Sequence, residues 1–307
     1  MELRHLRYFV AVAEEGHVTR AAARLGIQQP PLSQQIRALE AELGVALFER
    51  TARSIQLNEA GKSFLKDAKA LLASADEAVA RLKRVANGEE GKLTVGCTSS
   101  ALLHGLPPYL FEQFRRRYPQ VDFCMTENAT RDLFDTLLDE RIDMAFVRSS
   151  ASRYPGLNTI CLHQEPMVVA LPRNHHLATA AVEALSLVDL AGEDVVAYRR
   201  ADGPGIHDAL MAACHRAGFN AHIVEEVPRL ITAITMVAAG RGITLVPESL
   251  KTIQANRVVY RHLDAASAFS VPLNLAYRQG STQGPVGHFL KIAQMTLSSS
   301  THEILSQ

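Results

Sequence analysis

The first 58 residues show three short helical patterns of apolar positions, each ended by a turn signal. The first runs to Gly16, and the second opens at His17 and runs to Gly26. The third follows, with Pro30 and Pro31 in its first turn, where a missing N–H costs nothing. Its buried stripe is expected to comprise Ile36, Leu39, Leu43 and Leu47. Two helices joined by a tight glycine-containing turn predict a helix-turn-helix.

The next two patterns have different periods. Residues 47–57 alternate polar with apolar around a short polar tip, which predicts a two-stranded wing. From Asn58 to Asn87 there is no proline, and the apolar residues advance by three and four: Leu65, Ala68, Leu72, Ala75, Val79, Leu82 and Ala86. A single amphipathic helix also buries a stripe, but a heptad period with small alanine knobs favours a helix pair. We therefore predict a linker helix whose dimer seam contains Leu65, Leu72, Val79 and Leu82.

Strand and helix patterns alternate through the rest of the chain in two similar blocks. This alternation predicts an α/β fold with parallel strands and crossover helices, in two lobes with a ligand cleft between them. The predicted domains are a winged helix-turn-helix at 1–58, a linker and dimerisation helix at 59–88, and an effector-binding domain at 89–307. Lobe I would cover about 89–162 and 266–300, and lobe II about 163–265.

The overall charge gives no indication of a partner. The 307 residues contain 32 Lys and Arg and 32 Asp and Glu, and residues 1–90 contain 13 basic and 12 acidic residues. Any positively charged surface must therefore be confined to one side of the N-terminal domain. Two acid-free stretches in and around the helix-turn-helix carry five arginines: Arg20, Arg24, Arg37, Arg50 and Arg53. These charges predict a surface that faces DNA phosphates.

The third helix also carries side chains that can recognise bases. Glutamine pairs with adenine and arginine with guanine in the major groove, and a proline can contact a thymine methyl. An arginine at the wing tip suits a narrow minor groove. The predicted DNA-binding set is Thr19, Arg20, Gln29, Pro30, Pro31, Ser33, Gln34, Arg37, Arg50 and Arg53. The alternative is that these residues form only the solvated face of a surface helix.

Hydroxyl groups and one arginine follow strands of the second region. Ser99 and Ser100 come after the first strand, Thr130 opens a helix, and Arg148 follows the strand IDMAFV. A guanidinium can grip a carboxylate through two hydrogen bonds, and hydroxyls and helix amides can bind an anion. The predicted effector-binding set is Ser99, Ser100, Thr130, Arg148, Tyr198 and Pro204. The alternative is a purely structural role: helix caps for the hydroxyl residues, one half of a surface ion pair for Arg148, and a turn for Pro204.

Other chemistry is weakly indicated. The four cysteines lie far apart without zinc-ligand spacing, so neither a disulfide framework nor a metal is expected. His175 and His176 are interpreted as part of a solvated loop. Cys214 stands beside His215 and Arg216, and these residues could lower the pKa of its thiol. A redox-sensing function therefore stays an alternative. The sequence has no signal peptide, no run of roughly 18 apolar residues and no catalytic or nucleotide fingerprint, so we expect a cytoplasmic protein that is not an enzyme and has no cofactor.

Several segments together resemble the LysR-type transcriptional regulators. In the N-terminal part these are HLRYFVAVAEEG, TRAAARLGIQQPPLSQQIRALEAELG and LFERTARSIQLNEAG. Beyond it, GKLTVGCTSS, FRRRYPQV, RIDMAFVR, VVALPRNHHLA and VAAGRGITLVP resemble the family's effector domain. The resemblance implies a winged helix-turn-helix, a dimerising linker helix and a two-lobed domain similar to periplasmic binding proteins.

The same resemblance carries expectations about function. It implies a homodimer or homotetramer that binds promoter DNA and responds to a small-molecule effector, without a membrane partner. We expect an activator that senses a small organic acid, aromatic or dicarboxylic, because the predicted effector positions resemble those of members that sense benzoate- or muconate-like acids. RNA polymerase is a further expected partner. Gln34 departs from the arginine found in many such relatives, so their operators cannot be transferred. A redox-sensing regulator, a solute-binding receptor and an enzyme that uses the cleft are the alternatives.

Overall fold

The structure is a computed structural model that describes residues 1–50, 55–179, 183–199 and 205–298. For Arg50 it describes the backbone only. The contacts divide the chain into two compact units, Met1–Arg84 and Val85–Gln307. Within the described ranges, no helix is long and apolar enough to cross a membrane.

The N-terminal unit begins with the three predicted helices: α1 (Leu3–Glu15), α2 (Val18–Leu25) and α3 (Gln29–Leu43). Gly16 and Gly26 end the first two with φ of 62° and 67°, a left-handed conformation that glycine adopts without steric cost. The helices pack around a common core that includes Leu6, Phe9, Val12, Ala21, Leu32, Ile36 and Leu39.

The predicted stripe of α3 is too long. Leu43 is the last residue of the helix and is 36% exposed, so it does not belong to the core. Leu47 is buried, but it lies beyond the helix in the segment that leads into the wing. The spacing of apolar residues continues beyond Gly44, but the helix does not. Gly44 ends it in the left-handed conformation.

The wing consists of β1 (Phe48–Arg50) and β2 (Ile55–Leu57), paired antiparallel. Glu40 of α3 fixes the start of this hairpin, because its Oε1 accepts hydrogen bonds from the N–H groups of Leu47 (2.8 Å) and Phe48 (3.2 Å). The tip of the hairpin lies outside the described residues.

A single helix, α4 (Glu59–Ala86), follows the wing. Its predicted seam divides into two parts. Ala68 is fully buried, and Leu65 and Leu72 pack against the core of the N-terminal unit. Val79 and Leu82 are 53% and 68% exposed. The first two predicted seam leucines are thus covered at least partly by their own chain, whereas the last two residues are open to solvent in a single chain.

Lobe I of the C-terminal unit is built on a mixed sheet. Three parallel strands lie side by side: β3 (Glu90–Cys97), β4 (Gln120–Glu127) and β5 (Met144–Val147). The sheet continues antiparallel through β11 (Ser270–Arg278) to β6 (Leu157–Pro172). The helices of this lobe are α5 (Ser99–Leu102), α6 (Leu106–Arg117), α7 (Thr130–Leu138) and α11 (Gly284–Ser298).

Lobe II contains the second half of β6. This half pairs antiparallel with β9 (Thr244–Pro247) and β10 (Val258–His262), while β7 (Asp194–Tyr198) and β8 (His222–Val227) pair parallel. The helices are α8 (His176–Thr179), α9 (Ile206–Arg216) and α10 (Leu230–Ala238), with 3-10 turns at Leu187–Leu190 and Glu248–Leu250. A buried cluster of apolar side chains fills this lobe.

The predicted parallel strands are present, but the largest sheet also contains antiparallel strands, which the sequence did not predict. The long strand β6 belongs to both lobes: its residues up to Pro166 pair with β11, and those from Met167 pair with β9 and β10. An extended strand that links the lobes needs no crossover helix, so its neighbours can pair with it antiparallel. The pairing changes at Met167, whereas the sequence placed the lobe boundary near residue 163.

Candidate DNA-binding surface and effector cleft

The predicted recognition helix presents its polar residues outward. Leu32, Ile36 and Leu39 are fully buried on one side of α3. The predicted DNA-facing residues of α2 and α3 that are exposed are Thr19, Arg20, Gln29, Pro30, Pro31, Gln34 and Arg37, with Ser33 partly buried. The Nε2 of Gln29 donates to the Oγ of Ser33 at 3.1 Å, so two predicted base readers lie together one helical turn apart.

The surface is not free of opposing carboxylates. Arg24 contacts Glu14 at 2.9 Å and Glu15 at 3.4 Å, and Arg20 lies 3.8 Å from the carboxylate of Glu15. The tight turn at Gly16 brings the acidic end of α1 beside α2. The sequence stretch that contains the arginines has no acidic residues of its own, so this pairing could not be seen from it. The hydrogen bonds from Lys69 and Arg24 lower the pKa of Glu14.

Arg37 is the predicted DNA-binding cation that retains an open charge, because it forms no ion pair within the described parts of the chain. The side chain of Arg50 and all of Arg53 lie outside the described residues, and both stay predictions.

A cavity of about 280 Å³ lies between the lobes of the C-terminal unit. Lobe I supplies Thr98, Ser99, Ser100, Asn128, Ala129 and Asp132 to its wall, and lobe II supplies Tyr198, Pro228, Arg229, Leu230 and Ile231. Helices α7 and α10 both begin at this wall, so backbone N–H groups that lack intrahelical partners lie beside the cavity. Hydroxyls and helix starts suit an anionic ligand.

Three predicted effector residues lie on this wall, whereas Thr130 and Arg148 do not. Ser99, Ser100 and Tyr198 line the cavity. Thr130 is buried in the first turn of α7, and Ala129 and Asp132 line the cavity in its place. Pro204 lies outside the described residues.

Arg148, the predicted cation for an effector, is engaged elsewhere. Its Nη2 lies 2.6 Å from Oε2 of Glu165, and both side chains are buried. The same Nη2 donates to the carbonyl of Ser100 at 3.1 Å, just behind the cavity wall. The charge that was expected to face the ligand is therefore compensated by the protein. Sequence reasoning missed Glu165 because the first half of β6 was not predicted as a strand.

A histidine and a serine complete this buried cluster. Oε2 of Glu165 is 3.9 Å from Nε2 of His104, and Oε1 accepts the N–H of Ser249 at 2.6 Å. Burial alone would raise the pKa of Glu165, but Arg148 and Ser249 lower it below its usual range. Burial lowers the pKa of His104 to about 4. A neutral His104 beside an ionised Glu165 is the state expected at neutral pH.

The cation that does reach the cavity is Arg229, which sequence reasoning missed. It occupies the N-cap position of α10, and its Nη1 donates to Oε1 of Glu127 at 3.0 Å. Glu127 ends β4 in lobe I, and its Oε1 also accepts the hydroxyl of Ser99 at 2.6 Å. Burial raises the pKa of Tyr198, and the charge of Arg229 opposes that rise. An arginine at a strand-to-helix junction was the available sequence signal.

A histidine pair forms a second polar cluster on lobe II. His175 lies 3.1 Å and His176 lies 3.4 Å from the carboxylate of Glu193, a spacing that a metal ion could bridge. However, Nδ1 of His175 accepts the N–H of Leu177 at 3.3 Å. This bond leaves the ring hydrogen on Nε2, where it donates to Glu193 instead of leaving a lone pair for a metal. We interpret the cluster as an ion-paired turn, and His175 is less solvated than expected.

Two of the four cysteine thiols lie in environments that oppose ionisation. Burial raises the pKa of Cys97 to about 12 and also raises that of Cys214. The expectation that His215 and Arg216 could lower the pKa of Cys214 is therefore wrong, since the thiol is buried on the inner face of α9. A reactive sensor needs an accessible thiolate, which neither site favours.

Known families account for both units. Residues 3–62 match the bacterial regulatory helix-turn-helix of the lysR family, and residues 86–296 match the LysR substrate binding domain. The chain belongs to the LysR family. Like other LysR-family proteins with this helix-turn-helix, it is a DNA-binding transcriptional regulator, and the second match assigns the two-lobed unit to effector binding.

Individual LysR-family proteins resemble the chain over nearly its whole length. The transcriptional regulator BudR of Raoultella terrigena is 39% identical over 292 residues, which are 95% of this chain and 100% of BudR. A probable cat1 operon transcriptional activator of Acinetobacter lwoffii is 36% identical over 91% of this chain and 90% of its own length. The crystal structure of full-length CbnR complexed with its target DNA matches with a TM-score of 0.82 at 28% identity, covering 97% of this chain and 100% of that one.

Proposed function

We propose that this LysR-family regulator activates transcription when a small organic acid enters the cleft between its lobes. The observation that carries the proposal is the cavity wall, where serine hydroxyls, the starts of α7 and α10 and the guanidinium of Arg229 converge. Each of these groups favours a carboxylate. The similarity to a probable operon activator supports activation as the direction of control.

On the DNA side, α3 would enter the major groove with Gln29, Ser33, Gln34 and Arg37 toward the bases. Their exposure on the side opposite the buried core supports this orientation. Thr19, Arg20 and the wing arginines Arg50 and Arg53 would contact the backbone or the minor groove. The solved CbnR complex with its target DNA, similar over nearly the whole chain, supports this use of the fold.

The working unit would be a homodimer, with dimers paired into a tetramer on an interrupted palindromic operator. Val79 and Leu82 support the dimer, because both large apolar side chains are exposed on α4 of a single chain. The regulator would act in the cytoplasm, contact RNA polymerase, catalyse no reaction and need no cofactor.

The acid must bind one arrangement of the lobes more tightly than another to act as a signal. Ser99 and Arg229 lie on opposite lobes, so a ligand that contacts both would favour one separation. The strand β6 runs through both lobes and is the element that would bend.

A binding screen tests the proposal. Thermal unfolding of the full chain is followed with aromatic and dicarboxylic acids and with their uncharged amides, because a ligand that binds the native state raises its stability. A midpoint shift with an acid and none with its amide is expected. The same acid should then change the footprint of the protein on the promoter beside its own gene. If no acid shifts the midpoint or the footprint, the effector class is wrong.

A further inference from the structure

Two different arginines meet carboxylates near the cleft, and only one of these contacts can be exchanged. Arg148 and Glu165 are buried together, with side-chain exposures of 4% and 3%. Arg229 and Glu127 are 60% and 40% exposed. A solvated ion pair of this kind is weak, so a competing anion can replace one member at small cost.

Glu127 already occupies the position that suits a ligand's carboxylate. One of its oxygens accepts both the hydroxyl of Ser99 from lobe I and the guanidinium of Arg229 from lobe II. A hydroxyl and a guanidinium that converge on one oxygen are the donors that a free carboxylate would use. The protein thus supplies an internal competitor at the edge of its own cavity.

We propose that Arg229 is the specificity-determining cation of the cleft and that the effector's carboxylate displaces Glu127 from it. This inference rests on the proposed function, namely that the cleft binds an organic acid. Asp132, also on the wall, would repel a second negative charge placed toward lobe I. The carboxylate of the ligand is therefore directed toward α10.

The exchange also links recognition to lobe arrangement. The contact between Glu127 and Arg229 joins β4 of lobe I to α10 of lobe II. When a ligand takes the guanidinium, that direct link is replaced by one that passes through the ligand. Effectors of different length would then hold the lobes at different separations.

Two variants that each remove one charge distinguish recognition of the ligand by Arg229 from a pair that only connects the two lobes. Dissociation constants of benzoate and succinate are measured by titration calorimetry with the full chain, with benzamide as the uncharged probe. For Arg229→Gln we expect the affinity of the bound acid to fall about tenfold or more, because charge-assisted hydrogen bonds are lost. For Glu127→Gln we expect the affinity to rise about twofold to fivefold, because a weak competitor is removed.

The matched control is Arg241→Gln, which breaks a similarly exposed pair with Glu225 elsewhere on lobe II. It should leave the affinity unchanged, and none of the three variants should bind benzamide. Opposite effects of Arg229→Gln and Glu127→Gln support the exchange.

Equal effects of the two variants, in either direction, would mean that the pair only bridges the lobes, and the inference is then wrong. An acid that binds the unmodified chain and both variants with one affinity also overturns it, while leaving the proposed function intact. If neither acid binds the unmodified chain, both the organic-acid function and this inference fail for these probes.

Discussion

The guanidinium of Arg148 and the carboxylate of Glu165 lie 2.6 Å apart with both side chains buried. Nε and Nη1 of Arg148 have no hydrogen-bond partner among the described residues, and the carboxylate of Glu165 is the opposite charge that compensates the buried guanidinium. The pair joins the end of β5 to the long strand β6 and stands directly behind Ser100. A residue that looked like a ligand contact from the sequence is thus part of the internal structure of the effector unit.

Removing one partner should therefore destabilise the protein more than it alters ligand selectivity. For Glu165→Gln we expect a loss of about 3–5 kcal/mol in the free energy of unfolding, because the charge of Arg148 is left buried and uncompensated. Urea unfolding followed by circular dichroism measures it. Arg141→Ala, which removes an exposed pair with Asp139, is the control and should change little. A Glu165→Gln protein as stable as this control would show that water reaches the pair.

The same cluster predicts a loss of stability in mild acid. Burial holds the pKa of His104 near 4, whereas the unfolded chain protonates this histidine near its ordinary value of about 6.5. Below pH 6.5 the unfolded state binds the extra proton, so stability is lost as the pH falls from about 6.5 toward 4. Above pH 6.5 this contribution is fully present.

The variant His104→Asn isolates that contribution. An asparagine oxygen can still accept the N–H of Leu106, which Nδ1 of His104 now accepts at 3.0 Å, but it cannot titrate. Urea midpoints measured between pH 7 and pH 5 should fall less steeply in this variant than in the unmodified protein. His215→Asn, which changes an exposed histidine on α9, is the control. Identical slopes in His104→Asn and the unmodified chain would contradict the assignment.

Local patterns predicted most elements, because they carry their own signals. The helices α1 to α4 show apolar periods bounded by Gly16, Gly26 and Gly44, and the wing alternates with period two. The first half of β6 has no such signal: its burial is irregular, and its conformation depends on pairing with β11 over a hundred residues away. Elements of this kind are determined by tertiary contacts that no short stretch of sequence contains.

The candidate site shows the same division. Ser99 and Ser100 were predictable because a strand end and a helix start lie together in sequence. Arg229 and Glu127 are 102 residues apart and meet through the tertiary fold, one from each lobe. Arg148 was predicted as a ligand contact because its partner Glu165 could not be seen from the pattern.

The ion pairs on α2 predict unequal contributions of two arginines to DNA binding. Arg37 carries an open charge, whereas Arg24 is held by Glu14 and Glu15. We expect Arg37→Ala to weaken operator binding about tenfold or more and, if it contacts phosphate, to make the salt slope shallower by about one. Fluorescence anisotropy with the promoter fragment at several salt concentrations measures both quantities.

Arg24→Ala is the matched control, an arginine of the same helix-turn-helix. Its effect on affinity and on the salt slope should be smaller, because its charge is already neutralised within the protein. An equal or larger effect would show that DNA displaces Glu14 and Glu15 and that the ion pairs do not withhold Arg24.

The exposed end of α4 predicts where the dimer can be broken without unfolding a single chain. Leu82 is 68% exposed, whereas Leu72 packs against the N-terminal core. Leu82→Lys should raise the dimer dissociation constant more than tenfold, since a buried leucine contributes about 1.5–3 kcal/mol in each of two copies. Sedimentation velocity over a dilution series measures it, and Val188→Lys, at an exposed apolar site of lobe II, is the control.

Leu72→Ala should instead lower the stability of the N-terminal unit. A Leu82→Lys protein that dissociates no more readily than Val188→Lys would exclude this end of α4 from the dimer seam.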